Sequence, residues 1–109
     1  MNITPKHAVL VSNEVFHNGN VEAWINIIES YQARFPDLQV SVFHRGERVA
    51  NLNSLFKWGK VKHGDAIEFS VAGPEIQGVS KLKLYLTEGA SRNFMSYLKR
   101  DQNKLLPLF

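Results

Sequence analysis

The chain holds four histidines, His7, His17, His44 and His63, and no cysteine, so its chemistry near neutral pH rests on imidazole and hydroxyl groups. No thiolate nucleophile, disulfide or cysteine metal site can form, and the histidine spacings suit no metal. A glycine-rich phosphate loop, a Ser-His-Asp set, a paired-carboxylate pattern and an H-E-x-x-H motif are all missing. These observations speak against an independent hydrolase or oxidoreductase and call for no cofactor and no metal. His17 stands apart because it precedes Asn18-Gly19-Asn20, which open a helical pattern. The unpaired amides of a helix N-terminus stabilise a negative charge placed beside them. The plainer reading makes His17 a polar loop or capping residue. His7, His44 and His63 read as surface or turn residues.

Positioning such a site requires a strand before it and a helix after it, and the pattern supplies both. Ala8 to Val11 is a short apolar run that suits a buried strand. Val21, Trp24, Ile25, Ile28, Tyr31 and Phe35 recur at helical spacing, with Asn18 or Asn20 as the cap. Trp24, Ile28 and Tyr31 are core residues in this reading, and Pro36 ends the helix. Leu38, Val40 and Val42 alternate with polar neighbours, Arg45-Gly46-Glu47 turns the chain, and Arg48 to Leu52 returns as a second strand. Asn53 or Ser54 caps a short helix over Leu55 to Trp58, and Ile67, Phe69 and Val71 give a further strand. Pro74 suits the first position of the next helix, whose stripe is Ile76, Val79, Leu82 and Leu86, with Gly89 as its cap. Ser91 to about Asp101 is a last amphipathic helix, carrying Phe94, Met95 and Leu98. The expected fold is α+β: a four-stranded antiparallel sheet covered on one face by helices, with an extra C-terminal helix.

At 109 residues, the chain has room for one core. Its 44% hydrophobic and 21% charged residues are those of a globular protein, and no apolar run approaches the about 20 residues that cross a bilayer. Met1 to His7 carries no secretory pattern, which places the expected protein in the cytoplasm without membrane insertion. A net charge of +3, with no dense basic stripe beyond Lys57, Lys60 and Lys62, speaks against nucleic acid as a partner.

Two segments carry a resemblance. Asn53-Ser54-Leu55-Phe56-Lys57-Trp58 and the run from His63-Gly64-Asp65 to Ala72-Gly73 are similar to the central signature of HPr, the histidine-containing phosphocarrier of the bacterial sugar phosphotransferase system. The resemblance implies an HPr-like open-faced sandwich over 1–89 and a helical extension over 90–109. It implies that His17 is the phosphoryl acceptor, a carrier site rather than an independent enzyme, with the backbone amides of Asn18, Gly19 and Asn20 stabilising the phosphate on the imidazole nitrogen. Ser54 matches the serine modified by a regulatory kinase, although an ordinary helix N-cap accounts for it as well. Leu55 and Phe56 match a partner-docking patch, with packing beneath the short helix as the other reading of Phe56. The implied partners are Enzyme I and acceptor domains.

The chain departs from the family after the histidine. His17-Asn18-Gly19-Asn20 lacks both the arginine and the proline usual there, and a charge-assisted bond to phosphate is worth about 1.5–3 kcal/mol. The alternative is accordingly a degenerate relative: a non-catalytic regulatory adaptor on the same fold, acting by protein–protein binding. A third expectation is self-association through Phe94, Met95, Leu98 and the tail Leu105 to Phe109.

Overall fold

A computed structural model describes residues 1–55, 61–99, 104 and 106–109. Strand β1 (Asn2–Ile3) and strand β2 (His7–Leu10) precede helix α1 (Asn18–Arg34). Strands β3 (Gln39–His44) and β4 (Glu47–Arg48) form a hairpin, followed by a 3-10 segment at Leu52–Leu55. Strand β5 (Ala66–Gly73), helix α2 (Val79–Gly89) and a second 3-10 segment at Arg92–Tyr97 complete the order. The chain is α+β, with every described strand pairing antiparallel.

β5 lies at the centre, flanked by β3 on one side and by both β1 and β2 on the other. Among the described residues the expected four strands are therefore five, and the reason is Pro5. β1 pairs Ile3 with Ala72, whereas β2 pairs His7 with Phe69, so Thr4 to Lys6 hold one residue more than β5 does opposite them. A proline has no N–H for the ladder, and an edge bulge accommodates it. Thr4 bridges the break: its amide donates to the Val71 carbonyl and its hydroxyl accepts from the Val71 amide.

Directly opposed residues share a sheet face. Val9, Val42, Ile67, Phe69 and Val71 thus point one way, into a core completed by Trp24, Ile27 and Tyr31 of α1 and by Leu82 and Leu86 of α2. The Trp24 indole N–H donates to the Leu86 carbonyl across the helix pair. The described helical segments pack on this one face.

Several local expectations are corrected. α2 starts at Val79 and not at Pro74, because Gly78 has a left-handed φ of 69° that a right-handed helix cannot run through. The second hairpin strand is only Glu47–Arg48. A 3-10 segment at Leu52–Leu55 starts with the Asn51 side chain accepting the Asn53 amide, while the helix expected over Leu55 to Trp58 with Asn53 or Ser54 as its cap lies, past Leu55, outside the described residues. The last helix is a six-residue 3-10 segment started by Ser91, whose hydroxyl accepts from the Asn93 amide. His7 and His44 face the core side, with shielded ring Nε2 atoms that have no hydrogen-bond partner among the described residues, whereas His63 is exposed.

No helix among the described residues is long and apolar enough to cross a membrane.

Candidate functional site

His17 is the N-cap of α1 and is half-buried. Its Nδ1 accepts the Gly19 amide at 3.0 Å, which fills one of the unpaired amides of the first turn. A nitrogen that accepts has no proton, so the neutral ring carries its proton on Nε2. The expected caps, Asn18 and Asn20, divide differently. Asn18 is exposed and opens the helix, while the Asn20 side chain returns the favour to His17 by accepting its backbone amide at 3.2 Å.

Asn20 has a larger part than its backbone amide suggests. It is fully buried, and its side-chain nitrogen donates to the carbonyls of Gly89 (2.8 Å) and Ser91 (3.1 Å). Its side-chain oxygen also accepts from the Asn13 amide group at 3.0 Å. All four of its hydrogen-bonding positions are filled, tying the loop before α1 to the end of α2. The Ser12 and Asn13 amides both donate to the Ala90 carbonyl, which closes the same knot. On its other side the loop is pinned by Phe16 N–H to the Val61 carbonyl and by Gly64 N–H to the Val11 carbonyl.

Phe94 reaches this corner from the second 3-10 segment. Its ring meets the His17 imidazole edge-on, with centroids 4.7 Å apart and planes at 82°. Gly19 permits the approach. A Cβ there would overlap the Phe94 ring edge and lie 2.9 Å from His17 Cε1. The C-terminal extension is thereby packed against the histidine that the sequence singles out.

Ser54 lies within the first 3-10 segment and donates its amide to the Asn51 carbonyl. It lines a pocket of about 240 Å³ with His44, Glu47, Arg48 and Asn51. Leu55 ends that segment, and Phe56, Lys57, Trp58 and Lys60 lie outside the described residues. Nearby, the Asp65 carboxylate accepts the Lys62 amide at 3.2 Å and stands 3.6 Å from Arg45 and 3.7 Å from His44. The Lys62 hydrogen bond first, and then Arg45 and His44, hold its pKa below the ordinary 3.8 against the opposing effect of burial. Among the described residues no cluster of three metal-ligating side chains forms.

The side chains expected to self-associate are largely engaged within the chain. Phe94 covers His17, Leu98 packs on the core, and Phe109 stands between Tyr31 and Tyr85 at 5.2 and 5.3 Å. Ser30 and Tyr85 hold the tail through the carbonyls of Leu106 and Leu108. Met95 remains exposed, and Leu105 lies outside the described residues. Sequence reasoning missed Asn13, Asn20 as a buried clamp, and Phe94 as the neighbour of His17. The sole signal for them was the run of asparagines around a glycine.

No solved structure matches the chain. It is 56% identical over 102 residues to an uncharacterized protein of Treponema pallidum (strain Nichols), a match that covers 94% of this chain and 30% of that relative. The chain therefore spans less than a third of the length of the relative it matches. Residues 1–96 match the family model described as the C-terminal domain of an uncharacterised Treponema protein, and the chain belongs to that family.

Proposed function

We propose that this domain is a non-catalytic protein-binding adaptor built on an HPr-like sandwich, with His17 retained as a structural cap. The observation that carries the reading is the state of the His17 ring: Nδ1 takes the Gly19 amide while Phe94 packs edge-on against the imidazole. A phosphoryl group arriving at Nδ1 must displace the Gly19 hydrogen bond and pass the Phe94 ring. At Nε2 it must first reverse the tautomer, which sets an N–H on Nδ1 against the Gly19 N–H. The first turn also offers no arginine to receive the phosphate, since Asn18-Gly19-Asn20 replace it. The HPr-like part of the reading is supported by the element order, the antiparallel sheet with helices on one face, and the place of His17 at the start of the first long helix.

One observation favours a phosphocarrier as the second reading. Nδ1 faces the amide end of a 17-residue helix, where a bound anion is electrostatically stabilised. Ser54 as a regulatory phosphate acceptor is compatible with either role, because Arg48 lines the same pocket.

The test is incubation with Enzyme I and labelled phosphoenolpyruvate, with an ordinary HPr as the active control. The adaptor reading expects no acid-labile label on the wild type. Label on the wild type that His17→Ala removes would instead establish the carrier.

A further inference from the structure

We propose that the face of the sheet left free of helices among the described residues is the docking surface for a further protein region, the one that the longer relative carries outside the match. The register defines this face. Ile3, Ala8 and Leu10 oppose Ala72, Glu68 and Ala66 of β5, and Gln39, Ser41 and Phe43 oppose Ala72, Ser70 and Glu68 from the other side. The Pro5 bulge is what keeps Ile3 on the same face as Leu10, because the extra residue restores the alternation on both sides of it.

An antiparallel sheet face left to water is normally polar along its length. This one is built from alanines and serines at its middle, with Ile3 70% and Leu10 65% exposed along one edge. Small side chains make a flat surface on which another layer can approach closely, and exposed branched side chains give that layer something to bury. The charges on the face gather around Phe43: Lys6 lies over its ring at 4.2 Å, and Glu68 and Arg48 oppose it from the two neighbouring strands. A partner of matching chemistry presents an apolar helix or sheet face with a sparse charged rim.

The occupant follows from chain length. The match covers 30% of the relative, and the family is described as a C-terminal domain, so most of that polypeptide is a tethered candidate. A tethered partner meets this face at a high effective concentration and needs only a modest interface. The inference gives the binding-module reading a surface, yet it does not depend on His17: a phosphorylatable histidine would leave it standing.

Hydroxyl-radical footprinting of this chain and of the full-length relative is the test. The expected result is that Ile3, Leu10 and Phe43 oxidise readily in this chain. The residues aligned with them in the relative should be protected severalfold. Those aligned with Leu84 and Met95, exposed on the helical side, should label equally in both proteins. Glutamates at the positions aligned with Ile3 and Leu10 should lower the melting temperature of the long protein. Ile3→Glu with Leu10→Glu should leave that of this chain unchanged. Equal labelling of the face in both proteins overturns the proposal, as does protection of the helical side alone. Protection of this chain that grows with its own concentration assigns the face to a second copy and overturns it equally.

Discussion

His17 is held by three neighbours, and each can be tested separately. Removing the cap with His17→Ala should cost about 1 kcal/mol, whereas His17→Asn, which keeps an acceptor at the N-cap, should recover most of it. Urea denaturation of the three proteins reads both numbers, and equal stability for all three would mean that the Gly19 hydrogen bond contributes nothing. Gly19 gives a sharper test because two effects oppose one another. Alanine in the first turn gains up to about 1 kcal/mol of helix propensity, but here its Cβ overlaps the Phe94 ring edge. Gly19→Ala should therefore destabilise the wild type more than it does a Phe94→Ala background, where only the overlap with His17 Cε1 remains. A double-mutant cycle measures that difference, and additive effects would separate Phe94 from the His17 corner.

At the scale of elements, the β3–β4 hairpin shows a local rule broken. Its two-residue loop is Arg45-Gly46 with φ of 53° and 82°, and both positions of such a turn favour glycine or asparagine. Arg45 in that conformation is strained, and its ion pair with Asp65 is largely exposed and hence weak. Arg45→Asn should raise stability by on the order of 0.5–1 kcal/mol, because strain relief outweighs a surface ion pair. A loss of stability on thermal melting would show that the pair with Asp65 is worth more than its exposure implies. The hairpin itself was legible from Arg45-Gly46, as was α1, because period and turn chemistry are local signals; of the expected core stripe, Trp24 and Tyr31 are fully buried, whereas Ile28 is only partly buried and Ile27 takes its place in the core. β1 was not legible: two residues carry no alternation, and the Pro5 bulge hides its continuity with β2. The clamp made by Asn20 was hidden for a different reason, since its partners Gly89 and Ser91 lie about seventy residues away in sequence.

For the whole molecule, the carboxylate of Asp65 links the hairpin to the start of β5, and its lowered pKa gives stability a pH dependence. A folded-state pKa below the unfolded value means the contribution is fully present above about 3.8 and is lost as pH falls through the lower folded value. Asp65→Asn should therefore be less stable than the wild type near neutrality, with the gap closing as pH drops below 4. Melting temperatures from pH 7 to pH 3 measure this, and a constant gap would assign the loss to packing instead of charge. Position in the fold was the other quantity the sequence withheld. His7 and His44 have the residue type of surface histidines, and only the strand register turns them toward the core. Nothing local in Arg92–Tyr97 announces that Phe94 will lie on His17, which is the contact that separates the two functional readings.

The most direct test of that contact is chemical phosphorylation with phosphoramidate, followed by phosphorus NMR, because it needs no partner protein. His63 is exposed and serves as the internal reference. The predicted result is a phosphohistidine signal from His63 but none from His17 in the wild type, with a His17 signal appearing in Phe94→Ala. Phosphorylation of wild-type His17 as readily as His63 would contradict the account and return the domain to the phosphocarriers.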